Sequence, residues 1–154
     1  MSIVSKAFAK ARRSSAPRAG GRLLRRGPRV RYAPLSDGRP DPGEVVWAWV
    51  PYEEDASQGK DRPVLLLASD RTHVYGLMLT SQDHDRDAAD EARWGRHWMD
   101  VGSGGWDRER RPSEVRLDRL LRLDPADVRR EGAALDRPVF DAVVARARRF
   151  HRLG

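Results

Sequence analysis

The stretch from Gln58 to Gln82 constrains the fold more than any other part of the chain. It holds the apolar run Val64-Leu65-Leu66-Leu67-Ala68, the polar break Ser69-Asp70-Arg71-Thr72, and a second run from His73 through Leu79 that closes on Thr80-Ser81-Gln82. Two short β-prone runs around a polar break predict a hairpin. With the turn centred on Arg71, Arg62 faces Thr80, Val64 faces Met78, Leu66 faces Gly76 and Ala68 faces Val74, all on one side of the ladder. Opposed β-carbons lie about 5 Å apart, so a guanidinium and a hydroxyl meet at the open end, beside Gln58-Gly59-Lys60. A bulge, which Gly76 could host, would turn one of them to the other face. A planar, permanently charged donor next to an alcohol suits a phosphodiester. The same residues also read as an arginine that flanks a strand and a threonine that favours one. Spacing alone leaves both readings open.

Composition bears on partners once it is divided. The 154 residues suffice for one domain with a modest core. Ten of the 30 Lys and Arg fall within residues 1–31, which contain no acid, leaving twenty bases against 23 acids elsewhere. The net charge of +7 is therefore an arm of +10 on a remainder of −3, and a nucleic-acid argument from charge applies to the arm alone. Rich in Arg, Ser, Gly and Pro, the arm buries too little apolar surface to offset ordering entropy and is expected to be mostly disordered. Its two readings are non-specific phosphate contact and a solubilising extension. Zero cysteines exclude a disulfide framework and thiolate metal ligation and fit a reducing cytoplasm. No apolar run reaches membrane-spanning length, and the N-terminus lacks the apolar core of a secretory signal.

Residues 1–42 read as arm and Pro/Gly linker, and residues 43–152 as the domain. Val45, Trp47 and Trp49 alternate with Val46, Ala48 and Val50, a strand apolar on both faces and hence central or covered. Both tryptophans read as core rather than as stacking platforms. An acidic loop (Glu53, Glu54, Asp55) leads into the hairpin. The charged run Asp83 to Glu91 lacks the ligand steps and glycines of a hard-cation loop and reads as solvated, so no metal is expected. His97 to Val101 and Ser113 to Leu117 read as strands, and Trp106 with Arg108, Arg110 and Arg111 forms the best basic-aromatic cluster of the folded part, either an RNA contact or an exposed charged loop. Asp124-Pro125 starts one or two helical turns that stop at Gly132. Asp136 caps a final helix with Val139, Phe140, Val143, Val144, Ala147 and Phe150 on one side and Arg146, Arg148, Arg149 and Arg152 opposite. Pattern alone gives a mainly β, antiparallel domain with a C-terminal helix (α+β) that curls to manage its edges.

Several motifs, in order, resemble the MazF/PemK toxins of bacterial toxin-antitoxin pairs: Gly43-Glu44-Val45-Val46-Trp47, then Ser57 through Leu66, then Leu79-Thr80-Ser81-Gln82, then Pro112 through Asp118 and the amphipathic tail. The resemblance covers residues 40 to 150. It implies a small SH3-like barrel assembled as a cytoplasmic homodimer, with a cognate antitoxin as protein partner and no cofactor. The implied activity is that of a metal-independent, sequence-specific endoribonuclease of the mRNA interferase type acting on single-stranded RNA, with Arg62 and Thr80 catalytic and Gln58, Gly59, Lys60 and Ser81 binding substrate. Promoter DNA binding, where such pairs show it, is implied mostly for the antitoxin. Asp118-Arg119 departs from the acidic residue followed by glutamine of many relatives. The competing class is a catalytically inactive barrel that binds nucleic acid or a protein partner.

Overall fold

The hairpin forms, and everything else is laid against it. In the computed structural model, which describes residues 27–35, 38–81 and 88–154 (the side chains of 130 and 131 aside), β1 (Glu44–Pro51), β2 (Gly59–Ser69) and β3 (Val74–Thr80) are consecutive antiparallel strands. After a short helix α1 (Ala88–Arg93) come β4 (Trp98–Gly102), β5 (Ser113–Arg116), β6 (Leu121–Leu123), a 3₁₀ turn at Pro125–Asp127, β7 (Val128–Ala134) and the closing helix α2 (Arg137–Ala147). The strand order is β4-β5-β3-β2-β1-β7, with β6 beside β5 on the edge of β3 opposite β2. The arm at positions 1–26 and the charged run at 83–87 lie outside the described residues.

Chain length forces the sheet to curl. β6 pairs with β3 and β7 with β1, so in a flat sheet the two would stand about four strand spacings, roughly 19 Å, apart. The link between them is four residues, three of them in a compact 3₁₀ turn. A 3₁₀ turn rises only about 2 Å per residue, so the sheet bends into a small barrel. The core accordingly has two parts. Val45, Leu65, Leu67, Leu77, Leu79, Val115 and Leu117 pack under Phe140, Val143, Val144 and Ala147 of α2. Val46, Ala48, Val50, Val64, Leu66 and Met78 pack inside the curl against Leu121, Leu123 and Val128.

Several expectations are met and several corrected. The register holds at Val64 opposite Met78 and Leu66 opposite Gly76, but a bulge at Leu67 places Ala68 opposite Tyr75 instead of Val74. Helical structure after Asp124 is a single 3₁₀ turn, capped as expected by the Asp124 carboxylate accepting from the Ala126 N–H. The chain then pairs with β1 instead of running as helix to Gly132. Gly132 is required there because a β-carbon would lie 2.2 Å from the Val45 carbonyl oxygen. Asp136 occupies the N-cap position of α2 without a side-chain capping bond. The end of the charged run, expected as a solvated loop, is helical from Ala88, and Glu91 is buried, accepting from Arg96 Nε at 2.6 Å and Trp98 Nε1 at 3.2 Å. A single inward-facing residue leaves no apolar period to read. β1 is central between β2 and β7, yet Trp49, expected in the core, is 49% exposed. The root of the arm, read as mostly disordered, pairs with the body at Val30 and Arg31, and Tyr32 at the start of the linker lies edge-on to Phe140 at 5.1 Å.

Candidate active site

The ladder carries Arg62 to the open end of the hairpin. The β2–β3 pairing ends at Val64 opposite Met78, and strand parity carried two residues past it sets Arg62 and Thr80 on the side of the sheet that carries Val64 and Met78. The bulge lies toward the turn, beyond Leu66, so it leaves this end in register. Across the neighbouring strands the row extends from Ala48, which pairs with Arg62, to Glu114, which pairs with Thr80, and on to Asp100. Arg62 and Thr80 are half-buried, and Glu114 is 6% exposed.

Arg62, Thr80, Lys60 and Ser81 all line one cavity of about 290 Å³. It wraps round the strand ends, because Trp47, Trp106 and Ser113 from the helix-covered side also line it. Trp106 is buried and donates from Nε1 to Ser113 Oγ at 3.2 Å, while Trp47 Nε1 donates to the Trp106 carbonyl at 2.9 Å. Trp106 is thus a wall of the site and not a stacking platform. Arg111, paired with Asp107 and Glu109, is tied to that wall, whereas Arg108 and Arg110 are exposed. Gln58 and Gly59 stand outside the cavity. Gln58 is exposed, its N–H donating to the Asp55 carbonyl and its carbonyl accepting from the Tyr52 N–H, and Gly59 is paired with Pro51. A shallower cavity of about 700 Å³ adjoins along Trp47, Trp106 and Arg129, and neither Arg62 nor Thr80 lines it.

Residues that motif spacing did not single out complete the polar face. Arg116 is almost wholly buried. It donates to both Asp118 oxygens, closest at 2.8 Å from Nη2, and from Nη1 to Glu53 Oε1 at 2.7 Å. Burial works against its charge, but the bonds from Asp118 and Glu53 outweigh it and its pKa is raised. Burial likewise opposes ionisation of Asp118, and the Arg116 bonds with the His97 N–H overcome it, so its carboxyl is held below the usual range. Arg119, the departure from the family pattern, donates to the Pro51 carbonyl at 2.7 Å. Its pKa is lowered by burial, against the pull of Glu53 and with the push of the Arg116 and Arg62 charges. The Arg62 and Arg116 charges thus both bear on Arg119, which is tied to the end of β1 before the acidic β1–β2 loop. Among the described residues, no hydrogen bond or ion pair engages the Arg62 side chain.

Among the described residues no group of three or more His, Asp or Glu is placed to hold a metal ion, and no helix is long and apolar enough to cross a membrane. No curated protein matches the chain. Residues 41–151, well over half of its length, match the family described as the PemK-like, MazF-like toxin of type II toxin-antitoxin systems. The chain therefore belongs to this toxin family, whose members are generally endoribonucleases and whose counterpart is an antitoxin.

Proposed function

We propose that this protein cleaves single-stranded RNA without a metal ion, the RNA supplying its own nucleophile. The 2′-oxygen bonds to the adjacent phosphorus as the bond from phosphorus to the 5′-oxygen breaks, leaving a 2′,3′-cyclic phosphate and a 5′-hydroxyl. Arg62 stabilises the charge that grows on the phosphoryl oxygens, the task a guanidinium with a pKa above about 12 does best. Thr80 orients a phosphate oxygen or the attacking hydroxyl. The 2′-proton leaves to a water in the cavity, and the 5′-oxygen takes its proton from water. Lys60 and Ser81 hold the flanking backbone. Gln58 and Gly59, in the stretch that leads into Lys60, hold the RNA outside the cavity.

The shared cavity at the open end of the hairpin, with a half-buried guanidinium that no carboxylate has claimed, supports this reading above all else. The acting form is a cytoplasmic homodimer, and the antitoxin inhibits by laying an extended acidic segment over the same cations. The test is purified protein with a mixed RNA in EDTA, product ends mapped. Cyclic phosphate and 5′-hydroxyl ends from the parent and none from Arg62→Ala are expected. Cleavage that disappears with chelator, or full activity in Arg62→Ala, would overturn the scheme.

A further inference from the structure

On the helix-covered side of β1, beside the cavity of Arg62, a second arginine is fixed in place without being used up. Arg129 on β7 stands opposite Trp47, its guanidinium carbon 5.9 Å from the centre of the Trp47 ring and its Nη2 donating to Asp61 Oδ2 at 3.0 Å. Trp47 cannot swing away, because its own Nε1 is tied to the Trp106 carbonyl at 2.9 Å. The guanidinium is thus stacked on a clamped ring and turned by a carboxylate. Among the described residues Asp61 is its only hydrogen-bond partner, which leaves most of its N–H donors to a ligand. The two side chains are 55% and 49% exposed, and a pair so open to water adds little to the stability of the fold.

The surroundings suit a flat ligand. Trp49 lies on the same side of β1 as Trp47, two residues on and opposite Asp61, and half of it remains in water. Arg129 and Trp47 also line the cavity of about 700 Å³, a volume in the range of small-ligand sites. The acids on its wall, Asp107 and Glu109, are both taken by Arg111. This cavity shares Trp47, Trp106, Asp107 and Arg111 with the one that holds Arg62 and Thr80, so the two form a continuous path. Across β1, Trp47 pairs with Pro63 on one edge and with Arg129 on the other, which puts Arg129 two strand spacings, about 10 Å, from the residue next to Arg62.

We propose that the Asp61–Arg129 pair, with Trp49 beside it, reads one base of the RNA near the scissile phosphate and selects guanine there. The assignment rests on the RNA-cleavage reading for its ligand and adds to it the residues that choose the sequence. Guanine alone matches both members of the pair. Its O6 and N7 accept from a guanidinium fork, and its N1–H and N2–H, on the neighbouring edge, donate to a carboxylate. Adenine sets an amino donor where guanine has O6 and so turns hydrogens toward Arg129. Uracil and cytosine lack N7 and offer the fork a single acceptor. The stacking face of Trp49 accepts any base and supplies affinity without choice.

Binding is read by fluorescence anisotropy with labelled oligouridylates of about seven nucleotides, whose central base is guanine, adenine, cytosine or uracil. Full-length Arg62→Ala serves as the parent, so the probes stay intact. The guanine probe is expected to bind at least about tenfold more tightly than the other three, the scale of one bidentate base contact. Arg129→Lys, made in the same parent, keeps the charge and loses the fork, and should bring the four affinities within about twofold of one another with unchanged thermal unfolding. Equal affinities in the parent, or a guanine preference that survives in both Arg129→Lys and Arg129→Ala, would overturn the proposal. A preference for another base that is lost with Arg129 would overturn guanine. With Arg62 intact, cleavage sites mapped on a mixed RNA should share a guanine at one fixed position from the cut. Guanine-selective binding without any cleavage would sink the nuclease reading and leave this site standing, and cleavage without guanine selection would do the reverse.

Discussion

Arg62 on β2 and Arg116 on β5 lie on the two strands that flank β3 and have opposite surroundings. Arg116 is buried, with Asp118 on one side and Glu53 on the other. Arg62 is half-buried and shares a cavity with Thr80, and among the described residues no carboxylate is paired with its guanidinium. On the proposed chemistry, the same side chain is a structural strut where the protein supplies the anion and a chemical group where the substrate must. The largest effect separating them is expected at Arg62. Arg62→Ala should lower kcat/KM for RNA cleavage by about a thousandfold, the scale of losing one preorganised donor to a developing oxyanion, while urea unfolding shows a stability change of no more than about 0.5 kcal/mol. A variant that loses stability in step with activity would show Arg62 to be a strut as well.

Arg116→Met should do the reverse. Removing one member of a buried pair leaves the other charged and uncompensated, at a cost of about 3 kcal/mol or more, and Asp118 has only 11% of its side chain exposed. Urea unfolding measures this, and replacing Asp118 by leucine in the same variant should restore part of the stability. Next in size is a pH effect. A carboxyl held low in the folded state contributes stability that is complete above its unfolded pKa of about 4 and is lost as the pH falls through the folded value. Stability should therefore decline on acidification from about pH 5 to 3, and Asp118→Asn should flatten that decline. An unaltered profile in Asp118→Asn would mean that the Arg116 pair does not hold the fold.

The contrast between the two arginines also marks what the sequence could say. Arg62 and Thr80 share a hairpin of about 20 residues, and their register follows from counting between two runs. The bulge at Leu67 was not legible, because Val64 through Ala68 is apolar throughout and so carries no parity signal to fix which residue slips. Arg116 lies 63 residues from Glu53, and nothing local announces that their strands converge. β7 was hidden for a related reason. Asp124-Pro125 is a genuine helix start, which the 3₁₀ turn honours, but the unpaired edge of β1 is a distant demand that overrides it after one turn. Trp49 shows the converse failure. Its strand is apolar on both faces, yet opposite Asp61 it lies beyond the reach of α2 and remains exposed. The helix itself was readable, since its buried residues Phe140, Val143, Val144 and Ala147 follow the 3.6-residue period.

The smallest expected effect bears on how the strut and the chemical group communicate. Glu53 is 48% exposed at the tip of its bond to Arg116 Nη1, so the solvent-facing half of that pair contributes no more than about 1 kcal/mol. Asp118 keeps its own bonds to Nε and Nη2, and the amide oxygen of Glu53→Gln accepts from Nη1 as the carboxylate does, so Arg116 stays in place and only the charge is removed. A phosphate approaching the site would then meet one fewer negative charge on the β1–β2 loop, which Arg119 still pins at the Pro51 carbonyl. Glu53→Gln should therefore bind single-stranded RNA a few-fold more tightly at low salt, the gain fading toward 1 M as the Debye length shrinks to about 3 Å, with no change in unfolding midpoint. Weaker binding or slower cleavage in this variant would mean that Glu53 aims Arg116 instead of occupying it, and the division between strut and catalyst would have to be drawn between Arg116 and Arg119 instead.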